Sequence, residues 1–317
     1  MCFRRVPDNP ILVPDDVEPF CEGFEVFGVF NCGAVKLGDE YLLLVRVAEK
    51  PPSEEGWVQV PMLGEEGRSV TVKRFSADTP GLDASDPRLV RLPSGRLLLT
   101  SFSHLRIARS ADGRHFTVEP EPALFPSGDT ERFGIEDPRI TSLDGRYWIN
   151  YSAVSEQGVV TSLASTVDWN DFERHGTIFP AANKDVCLLP EKVQGRYWCR
   201  HRPWSEGLGV PAIWTASSPD LFHWGQHVRT LSTRRGRWDE ERVGAGPPPI
   251  LTEAGWVDIY HASDFSGRYC LGAMLTERGN PAQLIARSHS PVLAPEAEYE
   301  THGVYAPCVF AGGLVRE

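Results

Sequence analysis

A unit of roughly 50 residues recurs along the chain, and that period falls in the range of β-propeller blades. Its clearest copy reads Asp137-Pro138-Arg139-Ile140-Thr141, the turn Asp144-Gly145-Arg146, the run Tyr147-Trp148-Ile149-Asn150-Tyr151, then Ser162-Leu163-Ala164-Ser165 and Phe172. The same order appears in Asp86-Pro87-Arg88-Leu89-Val90, Ser94-Gly95-Arg96, residues 105–110, Asp112-Gly113 and Phe116. It returns from Pro190-Glu191-Lys192-Val193 through Gln194-Gly195-Arg196 to residues 213–217 and Trp224. A further copy runs from Pro247-Pro248-Pro249-Ile250-Leu251 through Ala254-Gly255 to residues 269–272, and a degenerate first copy starts at Phe30-Asn31-Cys32-Gly33-Ala34-Val35. A two-sheet sandwich would carry turn signals without so long a period. Five units fill the 317 residues without long structureless loops, so the expectation is an all-β, five-bladed β-propeller forming a single domain over residues 1–317.

Local patterning supports strands throughout. The 26 prolines and 29 glycines interrupt the chain too often for long helices. Between them stand β-branched and aromatic runs such as residues 41–47, 96–102 and 256–260, which suit a pleated, half-buried surface. The net charge of -11, with Lys and Arg scattered among acids, argues against a nucleic-acid partner, although one local basic pocket is compatible with it. The seven cysteines (2, 21, 32, 187, 199, 270 and 308) include no C-x-x-C pair, which argues against a metal site and for reduced thiols. No apolar leader or membrane-length run is present, so a cytoplasmic protein without a membrane partner is expected. G-x-S-x-G, Walker, G-x-G-x-x-G and H-E-x-x-H motifs are absent.

Three groups of residues carry candidate chemistry. The first is Gly134-Ile135-Glu136-Asp137-Pro138-Arg139, at the start of an inner strand where propeller ligands sit. A partly buried carboxylate there suits a general acid. Asp86-Pro87-Arg88 repeats the tripeptide, and either Asp is equally well read as a turn cap. The second group gathers Lys184, Arg200-His201-Arg202, Arg242, His261 and Tyr269 at corresponding points of later blades. Converging Arg, Lys and His would bind an oxyanion, whereas any one of them alone is more simply a surface ion-pair member. The third is Asn31 with Arg46, suited to sugar hydroxyls, beside tryptophans (148, 198, 214 and 224) that are expected mostly to fill the wedges between blades.

Taken together, Phe30-Asn31, residues 134–141, Asn183-Lys184-Asp185-Val186, His201-Arg202-Pro203, residues 218–225, Gly244-Ala245-Gly246-Pro247-Pro248 and Tyr260-His261 resemble the motifs of glycoside hydrolase family 130. The similarity runs in order along nearly the whole chain. It implies a five-bladed propeller that cleaves β-mannosides with inversion, inorganic phosphate being the co-substrate and no other cofactor being needed. An inverting hydrolase needs a second carboxylate to activate water, whereas a phosphorylase only has to hold its nucleophile. On the resemblance, Asp137 rather than Asp86 is the acid, and Lys184, Arg202, Arg242, His261 and Tyr269 hold phosphate. Asn31, Arg46 and Asp185 contact the sugar. The implied activity is an inverting β-mannoside (manno-oligosaccharide) phosphorylase releasing α-mannose 1-phosphate. The alternatives are an inverting β-mannosidase and a catalytically impaired carbohydrate-binding propeller, and a homo-oligomer is compatible with the sequence. The family's sequences continue past the point matching Ala311-Gly312-Gly313 into a last strand with Tyr-Tyr-Gly and a sugar-binding Asp. With Glu317 as the last residue here, the ring is expected to lack that strand or to close differently. Acceptor choice is expected to depend on mouth loops such as residues 49–67.

Overall fold

Alternating apolar residues make the β-rich runs two-faced, and the buried faces fill the wedges between radially arranged sheets. The computed structural model describes residues 3–67, 69–205, 207–305 and 307–316, so Cys2 and Glu317 lie outside the described residues. The first sheet combines β1 (Glu25–Leu37) and β2 (Glu40–Lys50) with later strands. Two small hairpins intervene, β3 (Trp57–Leu63) with β4 (Val70–Ser76) and β5 (Leu89–Arg91) with β6 (Leu97–Leu99). Then β7 (Phe102–Ser110) and β8 (Thr117–Leu124) complete blade 1 in the order β1-β2-β7-β8. Blade 2 is β9 (Ile135–Leu143), β10 (Arg146–Ser155), β11 (Gly158–Thr166) and β12 (Glu173–Phe179). Blade 3 is β13 (Asn183–Leu188), β14 (Tyr197–Pro203), β15 (Ile213–Ser218) and β16 (Gly225–Leu231). Blade 4 is β17 (Arg242–Ala245) and β18 (Ile250–Thr252), both paired to β19 (Gly255–Ser263), followed by β20 (Tyr269–Thr276) and β21 (Leu284–Arg287).

The architecture is an all-β propeller, but the described residues build four blades where five were expected. The units starting at Phe30 and Asp86 share one blade. In it, β2 and β7 pair continuously from Tyr41↔Ser110 to Glu49↔Phe102, a far longer ladder than the three pairs joining β5 to β6. The longer ladder satisfies more backbone groups, so β7 joins β2 and the 86–99 hairpin is set aside. Residues 308–316 run between blade 4 and β1. A Cβ on Gly312 would lie 2.8 Å from the Cys32 carbonyl oxygen and one on Gly313 2.4 Å from the Ala34 nitrogen, so only glycine permits this approach.

Each wedge has its own core. Leu42, Leu44, Leu105 and Ile107 meet Ile135, Ile149 and Tyr151 between blades 1 and 2. Leu163, Phe179, Leu188 and Leu221 fill the next wedge, with Trp148 and Trp224 against them. Ile213, Leu231, Val243 and Tyr260 fill the third, and Ile259, Leu271 and Val309 join blade 4 to the 308–316 segment. The third wedge also buries Arg200, whose guanidinium contacts Asp258 at 2.9 and 3.0 Å, both Thr215 and Thr276 hydroxyls, and the Pro281 carbonyl. The six described cysteines are free, and among the described residues no helix is long and apolar enough to cross a membrane.

Candidate active site

Inner strands normally alternate their side chains, yet three of them break that alternation at matching points. The register slips in β1 between Phe30 and Gly33, in β9 opposite Asn150 to Ser152, and in β13 between Lys184 and Cys187. At the slips Asn31, Asp137 and Asp185 have φ of +39°, +53° and +56°. Asn and Asp adopt this left-handed region more readily than other non-glycine residues, and a bulge re-aims the side chain it carries. Consecutive residues therefore face the same way: Glu136 with Asp137, and Lys184 with Asp185, line one cavity of about 860 Å³. The counterpart of Asp137 in blade 3 is thus Asp185, not the Pro190 that the repeat had paired with it. In blade 4 the inner strand is interrupted between Ala245 and Ile250, where Gly246-Pro247-Pro248-Pro249 intervenes.

Asp137 is buried beneath this cavity and takes two donors on Oδ1, the Asn31 amide at 2.9 Å and the Arg46 guanidinium at 3.1 Å. Arg46 also binds Glu136 at 2.8 Å and the Ser103 hydroxyl at 3.1 Å, so its orientation is fixed from three sides. Burial pushes the Asp137 pKa up, but Arg46, then Lys184 and Arg139, with the Asn31 hydrogen bond, outweigh it and bring the pKa below the usual value. The unliganded site therefore holds an ionised carboxylate.

Asp185 organises the opposite wall. Its carboxylate lies 3.0 Å from Arg202 Nε, 3.2 Å from His261 Nε2 and 3.5 Å from Arg139 Nη2. Burial opposes ionisation there, but Arg202, His261 and Arg139 hold the carboxyl well below the ordinary range. Gly244 makes room for this contact, since a Cβ at that position would fall 2.4 Å from both Asp185 Oδ2 and His261 Nε2. Arg139 braces the site across the channel by donating to the Gly246 carbonyl at 2.9 Å, the Ala245 carbonyl at 3.1 Å and the Asp137 carbonyl at 2.9 Å.

The other basic residues converge as the sequence suggested. Lys184 is the register partner of Arg202 on β14, and Arg242, at the start of β17, is paired with Glu241 and interacts with Tyr269. Arg202 is in ion-pair range of Asp185 but not aligned for a hydrogen bond. Its Nε and Nη1, the Nε of Arg242 and the Nδ1 of His261 are all buried without a hydrogen-bond partner. The arginine N–H groups among these are donors; buried donors left unsatisfied are costly and uncommon, and an acceptor-rich anion entering the cavity would satisfy them. One correction concerns charge: burial lowers the His261 pKa, so this ring is a neutral donor or acceptor and not one of the cations.

Nine of the residues singled out from the sequence, namely Asn31, Arg46, Asp137, Lys184, Asp185, Arg202, Arg242, His261 and Tyr269, line this cavity. Asp86 does not. It accepts from the Arg88 backbone amide at 2.9 Å and from the Arg88 guanidinium at 2.8 and 2.6 Å, which makes it a local turn cap. Arg200 and His201 are also elsewhere, Arg200 holding Asp258 in a wedge and His201 stacked on Phe179. Sequence reasoning missed Glu136, which strict alternation would have turned away, and Tyr305, which no periodic pattern marks. None of residues 49–67 lines the cavity: its outer walls come from residues 3–5 and 9–14 of the N-terminal segment and from Leu293, Tyr299, Glu300, residues 302–305 and residues 308–310. Among the described residues, no group of three or more His, Cys, Asp or Glu is placed to hold a metal ion.

Fold and cavity together place the chain among all-β propellers that carry a polar site at the channel mouth. A family profile described as beta-1,4-mannooligosaccharide phosphorylase matches residues 98–317, and the chain belongs to this family, glycoside hydrolase family 130. It is 43% identical over 321 residues to the beta-1,2-mannobiose phosphorylase of Listeria innocua, covering 100% of this chain and 90% of that protein. The solved structure of the Listeria innocua enzyme in complex with beta-1,2-mannobiose is similar with a TM-score of 0.96 at 42% identity, over 99% of this chain and 90% of that one. The 1,2-beta-oligomannan phosphorylase of Thermoanaerobacter sp. (strain X514) is 37% identical over 214 residues, 67% of this chain and 70% of that protein.

Proposed function

We propose that this protein is an inverting phosphorylase of β-1,2-linked mannosides, with Asp137 as its acid. The observation that carries the reading is the wall of buried, unpartnered N–H donors on Arg202 and Arg242, set around the same cavity as one well-ordered aspartate. Lys184, Arg202 and Arg242 supply charge for inorganic phosphate, while His261 and Tyr269 supply neutral hydrogen-bonding groups. Asn31, Arg46 and Asp185 bind hydroxyls of the mannosyl unit. Phosphate oxygen attacks the anomeric carbon from one face as the glycosidic bond breaks on the other. The glycosidic oxygen takes the proton carried by Asp137, leaving α-mannose 1-phosphate and a sugar shorter by one unit.

The low pKa of Asp137 fits this sequence of events. Phosphate engages Lys184, which otherwise helps to keep the carboxylate ionised, and brings further negative charge into a buried site. Both effects favour the protonated carboxyl only once the co-substrate is bound. Hydrolysis would need a second carboxylate free to activate water, and the neighbouring Glu136 is engaged by Arg46 at 2.8 Å. Linkage preference follows the relatives named above. We read the whole chain as one catalytic domain, with residues 308–316 standing at the inner edge of a fifth propeller sector. We read the enzyme as cytoplasmic, a reading that the free described cysteines support because a reducing compartment keeps thiols unpaired.

The test is incubation with β-1,2- and β-1,4-mannobiose, each with and without phosphate, followed by assay for mannose 1-phosphate. The expected result is mannose 1-phosphate from the β-1,2 isomer, formed only when phosphate is present. Cleavage to free mannose at an equal rate in phosphate-free buffer would overturn phosphorolysis, and preference for the β-1,4 isomer would overturn the linkage.

A further inference from the structure

The cavity is graded from a buried floor to an open rim. Asp137, Asp185, Arg202 and His261 are all less than a tenth exposed, whereas Tyr305 at the wall is 42% exposed. Tyr305 is one of two neighbouring rings flanked on either side by a guanidinium. Arg46, which holds Asp137, lies over the Phe30 ring at 5.2 Å. Phe30 meets Tyr305 edge-to-face at 5.7 Å, and the Arg88 guanidinium covers the Tyr305 ring at 4.7 Å. Arg88 is itself fixed by Asp86 through two charged hydrogen bonds of 2.6 and 2.8 Å. The turn that carries Tyr305 follows a short helix, α1 (Glu298–Thr301), pinned to the N-terminal segment where Arg5 grips Glu300 at 2.6 and 2.7 Å. A surface tyrosine held from so many sides is pre-organised for contact.

Resting on the phosphorylase reading, we propose that Tyr305 is the contact residue for the leaving sugar, and that Arg88 is its positioning residue. In a pocket with a closed polar floor the transferred mannosyl unit lies deepest, against Asp137 and the phosphate donors. The leaving sugar therefore extends towards the mouth, where the Tyr305 ring forms part of the wall. Sugar rings present C–H groups on their faces, and an aromatic ring offers them a flat apolar surface at low conformational cost. The Asp86-Pro87-Arg88 turn, which repeats the catalytic tripeptide without joining the floor, acquires a role here as the clamp behind that ring.

The experiment is the synthetic direction, with α-mannose 1-phosphate as donor and mannose as acceptor, together with phosphate titration in the forward direction. Tyr305→Ala is expected to raise the KM for the acceptor roughly tenfold, about 1.4 kcal/mol, with the KM for phosphate within about twofold of the wild type. Tyr305→Phe, which keeps the ring, should stay close to the wild type. Arg88→Ala should raise the acceptor KM less than Tyr305→Ala does, and should add nothing when combined with it. Thermal melting of each variant reports any general loss of structure. An unchanged acceptor KM in Tyr305→Ala, or equal rises in the acceptor and phosphate KM values, overturns the proposal. Full additivity of the two substitutions overturns the clamp. A wild-type protein that forms no mannose 1-phosphate overturns the phosphorylase reading instead, so the two failures are distinguishable.

Discussion

Asp137→Asn is expected to lower kcat for phosphorolysis by a factor on the order of 10² to 10⁴, the usual contribution of a positioned general acid. The substitution isolates proton transfer. Asparagine retains an oxygen to accept from the Asn31 amide and Arg46, which both bind Oδ1 at present. It also tolerates the φ of +53° that position 137 requires, whereas alanine there would add backbone strain. Phosphate affinity gives a second, independent sign. Asp137 partly neutralises Lys184 and Arg46, so removing its charge should leave phosphate binding unchanged or tighter, never weaker. Steady-state kinetics in both directions and direct titration of phosphate supply the readouts. Because the enzyme alters both directions equally, the synthetic rate should fall with the phosphorolytic one. Activity within tenfold of wild type would remove Asp137 from the acid role, and a large rise in the phosphate dissociation constant would show that the substitution had disturbed the basic wall.

The residues differ in how far their roles were legible before folding. The propeller class was visible in the Asp-Pro-Arg and turn repeat because each blade is a local unit whose signals lie within roughly 50 residues. Blade count was not, since it depends on a competition between the β2–β7 and β5–β6 ladders, and only spatial pairing decides that. The floor of the site was legible through family motifs, yet the reason those residues meet is tertiary. Asn31, Asp137 and Asp185 each sit on a bulge with positive φ, and it is the bulge that turns Glu136 into the same cavity. The charge state of His261 was beyond the sequence because burial, not its neighbours in the chain, lowers its pKa. Tyr305 lies in an irregular turn, and its partners Phe30 and Arg88 come from distant parts of the chain.

Arg200→Met is expected to destabilise the fold by about 3–5 kcal/mol, the cost of leaving a buried partner charge uncompensated. Both members of the pair are inaccessible to solvent, with side-chain exposures of 0% for Arg200 and 2% for Asp258. Burial already raises the pKa of Asp258, and Arg200 offsets that only in part. Methionine matches the length of the stem but abandons the carboxylate together with Thr215, Thr276 and the Pro281 carbonyl. The sign of the pH dependence follows from linkage. In the variant the folded-state pKa of Asp258 stands further above its unfolded value, so the folded state binds the extra proton. The variant is then best off below the unfolded pKa and loses stability as pH rises through the folded one. Its deficit against the wild type should therefore be smaller near pH 4 than at pH 8, as urea unfolding at the two values would measure. Asp258→Asn should be destabilising as well, since the amide oxygen still accepts from Arg200 Nε but the buried guanidinium keeps its charge and loses its counter-ion. A deficit in Arg200→Met that does not change with pH would mean that the lost hydrogen bonds, and not the stranded carboxylate, account for the effect. Arg200 precedes Arg202 by two residues on β14, so loosening this wedge should also weaken phosphate binding.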